Sequence, residues 1–320
     1  MKVRLARASG ASFGVDDISC AAATQLGLFA AEGLEARWSD WRGGVAAMRA
    51  VLEGEADVAY AGFGPVLALR AEGRPCRIFV SQARALAQAL VASRRFRTAD
   101  DLRQCVWAVD AIGALSHHMA RLVVRALGIA ESDIRWEAVG PPPQRIAALL
   151  EGRADASLVR TEEALALDRD HAGRVHRMLD FDALKRLVPL QPHGVLATTE
   201  AFEGAHPAVL QALTNAMLRA SRALHDDFEV FDAVLREHVT VALSTEERRM
   251  LWQREHDNGG WAVNGGMARS HWEAQLALFH ELNPQLPRLE RDRVLTGRFV
   301  ATALAKLGAH PAPFDQGVTA

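Results

Sequence analysis

Leu52-Glu53-Gly54-Glu55-Ala56-Asp57 is the stretch on which the fold turns, because it returns almost unchanged as Leu150-Glu151-Gly152-Arg153-Ala154-Asp155. Ahead of the first copy, Val45, Met48, Val51 and Leu52 recur at helical spacing across Gly44 to Glu53, and Gly54 supplies the C-terminal stop. Behind it, Val58-Ala59-Tyr60-Ala61 reads as a strand. The second copy has matching flanks. Each follows a glycine-bearing loop (Arg42-Gly43-Gly44; Gly140-Pro141-Pro142-Pro143) and a helix, and each precedes a short strand and another helix. A repeat this widely spaced predicts two similarly built lobes, not a solenoid.

Outward from this corner, short apolar strand candidates alternate with helical stretches through the first two hundred positions. This is the pattern of βαβ units around a mainly parallel sheet, so the fold class is α/β. The strand at Val58 ends in Gly62-Phe63-Gly64-Pro65, where Pro65 is placed to open the next helix, running through Leu67, Leu69 and Arg70 to Gly73. Beyond Thr199 the pattern turns almost wholly helical, with helices expected over Pro207 to Leu224, Thr245 to Glu255, Arg269 to Leu282 and Arg291 to Leu307. Ser244 reads as an N-cap, with Glu247 completing a capping box. This helical C-terminal region is expected to buttress the first lobe. The expected division is lobe I over 1–86 and 193–320, with lobe II, 87–192, as a continuous insertion.

Composition limits what such a chain meets. With 37 basic against 39 acidic residues, a net charge of −2 gives no broad attraction to nucleic acid or to an anionic membrane, so a charged ligand has to be met locally. No apolar run approaches the roughly 20 residues of a membrane span. Cys20, Cys76 and Cys105 lie too far apart for metal-ligand spacing and are too few for a disulfide framework; Cys76 and Cys105 each begin an apolar strand-like run and read as core thiols. Met1 to Arg7 alternates polar and apolar like a strand and has no apolar signal region. The expected compartment is therefore periplasmic if a leader has been trimmed, and cytoplasmic otherwise.

Gly27-Leu28-Phe29-Ala30-Ala31-Glu32-Gly33-Leu34-Glu35, then Gly43-Gly44, Glu53 to Ala59 and Glu72-Gly73-Arg74-Pro75, resemble in order and spacing the first lobe of the substrate-binding proteins of sulfonate/nitrate/taurine-type ABC importers. Leu115-Ser116-His117-His118, Leu127-Gly128-Ile129, Asp133-Ile134, Val139-Gly140 and Gly152 to Ala156 resemble the second lobe. The likeness covers roughly residues 1 to 200, and it is the ordered series that carries it. It implies the two-lobed type II periplasmic-binding fold, closing through two hinge crossings on a ligand held in an interlobe cleft. The implied function is capture of a small organic anion, a sulfonate or carboxylate, for ABC-type import. An ABC permease would be the partner, and no cofactor, metal, nucleic acid or membrane insertion is implied.

In that fold the loops after strands face the ligand, where helix N-termini offer free N–H groups. The loop Ser9 to Gly14, with Ser12 and Phe13, follows the first strand; a plain surface loop is the alternative. Gly62 and Phe63 end a comparable strand, and Phe63 either stacks on a flat substrate or buries against the next helix. Ser116 and His117, with Gly113 in the preceding loop, resemble the helix N-terminus that holds an anionic head group. His117 and His118 are adjacent and so point about 100° apart on a helix, which argues against a shared metal. Arg160 ends a strand and would clamp an acidic group bidentately, or pair with Glu162 or Glu163. Many members of the family place aromatic or small residues at that corner, so the resemblance implies a ligand of unusual acidity. Arg84 and His193 lie beside the two lobe boundaries, and Trp41, near Trp38 and Asp40, flanks a loop able to reach the ligand. The glycine-rich break from Asp257 to Gly266 is either a lid or a connector.

A minority of proteins with this fold are cytosolic enzymes, including desulfinases with a cysteine nucleophile. The alternative function is thus a desulfinase- or decarboxylase-like activity on an aromatic acid, with Cys20 attacking and His117 or His193 activating it. Against it, Cys20 falls within the expected first helix, Ile18 to Leu26, and not in a loop. The cysteine-rich cluster of the related thiamin-pyrimidine synthases has no counterpart, and no P-loop, Rossmann glycine pattern, zinc array or nucleophile elbow is present. A ligand-sensing module without transport is a third class.

Overall fold

The computed structural model describes residues 1–8, 13–15, 18–83, 87–188 and 193–313, with His193 described by its backbone only. The chain runs β1 (Lys2–Arg7), α1 (Ser19–Gln25), α2 (Leu28–Ala31), β2 (Glu35–Asp40), α3 (Gly44–Leu52), β3 (Val58–Ala61), α4 (Phe63–Ala71) and β4 (Cys76–Ala83). It continues through β5 (Gln88–Ser93), β6 (Val106–Val109), α5 (Leu115–Ala126), β7 (Arg135–Ala138), α6 (Pro142–Leu150), β8 (Ala156–Arg160), α7 (Thr161–Asp170), β9 (Val175–Leu179) and α8 (Phe181–Leu187). The remainder is β10 (His193–Thr199), α9 (Glu200–Ala205), α10 (Pro207–Asp226), α11 (Phe228–His238), α12 (Thr245–Asn258), α13 (Arg269–Leu282), α14 (Arg291–Val294) and α15 (Arg298–Leu307).

Two compact units result, the first comprising Met1–Leu86, Gln191–Val239 and Trp252–Ala320, the second Ala87–Leu190 and Thr240–Leu251. The second unit thus takes in 240–251, which the sequence reading had placed in lobe I. Part of the cause is Arg169 of α7, which donates to Ala242 O and to both carboxylate oxygens of Glu247. The capping box at the start of α12 is present: Ser244 N–H donates to Glu247 Oε2 at 2.6 Å, and Glu247 N–H to Ser244 Oγ at 3.2 Å.

Each unit is built on one five-stranded sheet, β2-β1-β3-β10-β4 in the first and β7-β6-β8-β5-β9 in the second. The sheets are mixed. β1 pairs in parallel with β2 and β3, while β10 runs antiparallel between β3 and β4. In the second unit β6 is parallel to β7 and β8, and β5 is antiparallel to β8 and β9.

The repeated corner has the same construction twice. Asp57 N–H donates to Arg4 O at 2.9 Å, and its Oδ2 accepts Arg4 N–H at 2.8 Å. Asp155 N–H donates to Val106 O at 2.8 Å, and its Oδ2 accepts Val106 N–H at 2.9 Å. In each unit the aspartate that ends the motif locks its new strand to the start of the neighbouring parallel strand.

The tail departs from the sequence reading in two places, and a third point left open between two alternatives is decided. The helix expected over Arg291 to Leu307 is broken into α14 and α15, because Leu295 bridges Ile78 of β4, Thr296 N–H donates to Ile78 O, and Arg77 donates to Asp292 O and Leu295 O. Helix α11 was not anticipated; Asp227 caps it, accepting Glu229 N–H, and Phe228, Phe231, Val234 and Leu235 form its buried stripe. The glycine-rich break is a buried connector and not a lid: Trp261 and Asn264 are 1% and 2% exposed, Trp261 bridges Ala83, and Ser81 N–H donates to Gly265 O.

Candidate functional site

Ser12 and Arg84 lie outside the described residues, as does the side chain of His193. The other sequence candidates fall into two groups, one in each unit.

In the first unit the carboxyl ends of β1 and β2 lie side by side, with Arg7 in register with Asp40. Arg7 Nε meets Asp40 Oδ1 at 2.6 Å, and its guanidinium lies 4.2 Å above the Phe13 ring. Phe13 in turn meets His238 edge-on at 5.7 Å. Trp41, half-buried, receives its position from Arg7 O, which accepts its N–H, and from Ser39 Oγ, which accepts its indole N–H at 2.9 Å. Phe13 and Trp41 are therefore brought to one strand-end cluster, which also contains Arg7 and His238, two residues the sequence reading did not single out. Arg7 was legible as the last residue of the first strand; His238 arrives from an unanticipated helix.

Phe63 does not join them. It is fully buried and packs edge-on against Trp272 at 6.2 Å, so it is core and not a stacking platform. The reason is that α4 starts at Phe63, two residues before Pro65, and this turns the side chain of its first residue into the apolar interior. Gly62 is the extended N-cap of that helix. Trp38 lies within β2, against Phe29 and Tyr60, and is packing.

In the second unit, β6 and β8 are adjacent parallel strands, and their carboxyl ends lead into α5 and α7. The loop after β6 folds back on the first turn of α5: Ser116 Oγ accepts Asp110 N–H at 2.8 Å, and His117 Nδ1 accepts Gly113 N–H at 3.0 Å. Gly113 sits at φ +81°, a conformation that costs an ordinary residue. Two consequences follow for the chemistry. Since both bonds use acceptors, the Ser116 hydroxyl hydrogen and the His117 Nε2–H remain as donors. The N-cap of α5 is Ala114, which has no side chain to cap the first-turn amides, so these too face outward as donors. Burial, with Arg121 as a lesser cause, lowers the His117 pKa and keeps the ring neutral at pH 7. Its ring rests edge-on against Trp136 at 5.0 Å.

His118 points into the core, 7% exposed, and burial pushes its pKa down to about 4. Because the folded value lies below the ordinary one, the unfolded chain binds the extra proton first: His118 favours folding above about pH 6.5, and that contribution is lost as pH falls toward 4. Urea titrations from pH 7 to 4 should give a flatter stability profile for His118→Leu than for the wild type. Parallel profiles would mean that His118 does not carry this proton uptake.

Arg160, half-buried, ends β8 and forms the N-cap of α7, where its own N–H donates to Glu163 Oε2 at 2.8 Å. A guanidinium holds only donors, so this is half of a capping box. Behind it lies Arg145, a residue the sequence reading missed. Arg145 is buried, donates to Leu158 O and, at 3.4 Å, to Ser157 Oγ; burial lowers its pKa, while Glu163 and Asp110 support the charge and Arg160 opposes it. Only the tertiary structure brings an α6 arginine beneath the β8 corner, with Ser157 Oγ donating onward to Ala108 O of β6 at 3.0 Å.

The three cysteines are buried, Cys20 within α1 at 1% exposure. Burial raises Cys76 to about 11 and Cys105 to about 12, far from a reactive thiolate. No described helix is long and apolar enough to cross a membrane.

Residues 10–235 match the model of the NMT1-like family. Among solved structures, similar folds include a protein of Bordetella bronchiseptica RB50, at 23% identity and a TM-score of 0.78, covering 96% of this chain and 98% of that one. The alkanesulfonate-binding protein SsuA of Xanthomonas axonopodis pv. citri, bound to MOPS, matches at 18% identity and 0.69, covering 94% and 97%. The periplasmic nitrate-binding protein NrtA of Synechocystis PCC 6803 matches at 13% and 0.73, covering 99% and 92%. Among curated proteins, none matches the sequence. The similar structures establish the periplasmic-binding-protein fold, and the expected α/β class with it.

Proposed function

From the premise that this chain belongs to the NMT1-like family, we propose that it is a solute-binding protein that captures a small organic anion of the sulfonate or carboxylate class for ABC-type import. The observation that carries this reading is the surplus of hydrogen-bond donors at the α5 N-terminus. Asp110 and Gly113 use the acceptor atoms of Ser116 and His117, so the hydroxyl, the Nε2–H and the uncapped amides of the first turn remain for a ligand rich in acceptors and without protons to give. Arg160, at the end of the adjacent parallel strand, adds the charge. A periplasmic setting and a permease partner belong to the same proposal.

The test is a thermal-shift screen against sulfonates, sulfinates, aromatic carboxylates and nitrate, with pyrimidines as neutral controls, and mass spectrometry of each stabilising mixture. A ligand that binds the folded state raises apparent stability by mass action. Stabilisation by an anion recovered unchanged is the expected result; conversion to product, or a response only to pyrimidines, overturns the proposal. With the stabilising anion in hand, Arg160→Ala should weaken binding about tenfold or more, the usual loss for a hydrogen bond to a charged group, while leaving the unfolding curve in place. Unchanged affinity removes Arg160 from the site.

A further inference from the structure

The first unit carries a second cluster of chemistry-bearing side chains that the proposed ligand site does not use, where α10 ends, α12 passes and the segment after α15 returns. We infer that His225, Asp226 and His310 form a binding site for one divalent transition-metal ion of the zinc class, which fastens the C-terminal segment to the end of α10. One ligand atom from each of the three residues lies within 4.8 Å of the others. They already converge: His225 Nδ1 lies 2.8 Å and His310 Nε2 2.9 Å from the same oxygen, Asp226 Oδ1. Zinc binds imidazole nitrogen at about 2.0–2.1 Å and carboxylate oxygen at about 2.0–2.2 Å, so an ion among these atoms asks for side-chain adjustment and not for refolding. Two imidazoles and one carboxylate suit zinc, nickel or copper better than calcium or magnesium, which prefer all-oxygen shells.

The surroundings fit the assignment. His225 is held in place by His256, whose ring stacks on it at 4.3 Å and 30° and which is itself bonded to Asp257 at 3.0 Å. The His225 side chain is 8% exposed and that of Asp226 52%, so the group is anchored on one side and open to water, and to an incoming ion, on the other. The nearby charges are Arg222, one turn earlier and engaged with Val263 O, Leu307 O, Gly308 O and Asn264 Oδ1, and the carboxylates of Asp227 and Asp257.

His310 Nδ1 accepts Ala312 N–H at 3.2 Å, so Nε2 carries the proton that is donated to Asp226. Metal capture moves that proton to Nδ1 and forfeits the Ala312 contact; at His225 the proton moves from Nδ1 to Nε2. Neither ring changes charge. The His310 backbone stays in place through its two bonds to the Asn264 side chain, at 2.8 and 3.0 Å.

The experiment uses the whole chain, without a polyhistidine tag and stripped with chelator, titrated with Zn²⁺ by calorimetry and with Co²⁺ by visible absorption. One equivalent should bind, with ligand-field bands in the cobalt spectrum and a rise in Tm with zinc. Asp226→Asn and His310→Ala should each weaken binding by at least about tenfold, since even the loss of a group that only supports a ligand typically costs that much. His206→Ala, outside the cluster, should leave it unchanged. Asp226 is exposed enough that its substitution tests the site even if His310→Ala perturbs the fold. Absence of saturable binding, or equal binding by Asp226→Asn and the wild type, overturns the assignment and leaves the cluster as a hydrogen-bonded clasp.

Discussion

Replacing Asp155 by alanine should lower the unfolding free energy by about 3 kcal/mol, read as a shift of the urea midpoint at constant slope. The Asp155 side chain is 9% exposed, and its Oδ2 accepts Val106 N–H at 2.9 Å. Removing it sacrifices a hydrogen bond to a charged acceptor, worth about 1.5–3 kcal/mol, and leaves the Val106 donor poorly satisfied at a further cost of about 1–3 kcal/mol. The ion pair with Arg95 contributes little, because that arginine is 68% exposed. Asp155→Asn, which keeps a carbonyl acceptor, should recover most of the loss. Asp57→Ala should act in the same direction but more weakly, since the Asp57 side chain is more exposed, at 15%. A loss of under about 0.5 kcal/mol for Asp155→Ala would place it among ordinary surface substitutions and show that the repeated corner holds without its aspartate.

Gly194→Ala should be comparably damaging, again by about 3 kcal/mol, from two sources. Gly194 has φ +62° inside β10, a left-handed conformation that costs an L-residue about 1–2 kcal/mol. A β-carbon there would fall on the Tyr60 hydroxyl and lie 2.8 Å from Cζ and 3.2 Å from Cε2. Tyr60 is 3% exposed and packed edge-on against Trp38 at 6.4 Å, so it cannot swing aside without disturbing the core; overpacking of this kind costs about 1–3 kcal/mol. Tyr60→Phe removes the clashing hydroxyl and should recover part of the clash cost but none of the backbone cost. A double-mutant cycle measured by urea unfolding separates the two. If Gly194→Ala loses under 1 kcal/mol, or if Tyr60→Phe recovers nothing, the steric account fails.

Much of the architecture was legible, and for identifiable reasons. Val58–Ala61 and Arg269–Leu282 have the expected bounds, because the first is an apolar run closed by glycine and the second a long amphipathic stretch. Helix α5 begins where the loop from Asp110 was expected to deliver it. The miss at α11 was avoidable, since Asp227 before a spaced Phe228, Phe231, Val234 and Leu235 is a readable cap and stripe. The break between α14 and α15 was not: periodicity continues across it, and the helix stops only because Ile78 and Arg77, far away in sequence, draw Leu295 and Thr296 out of helical geometry.

The candidate site divides in the same way. Ser116, His117 and Arg160 were visible as residues at the ends of strands and the starts of helices, because strand–loop–helix order alone places them there. Phe63 looked equivalent, but two residues' difference in where α4 begins buried it against Trp272. Arg145, Arg7 and His238 gained their places only when α6, β1 and α11 were packed against their neighbours.

What the sequence by itself determined is the α/β class, the duplicated corner and the positions of the strand-end loops, since these follow from periodicity, glycine stops and residue order, which are local. The tertiary structure alone decided which strand ends share a sheet edge, which aromatic rings are core, which arginine lies beneath Arg160, and that His310 returns to His225 and Asp226. Those outcomes depend on pairings between segments distant in sequence, and no local pattern encodes the distance between them.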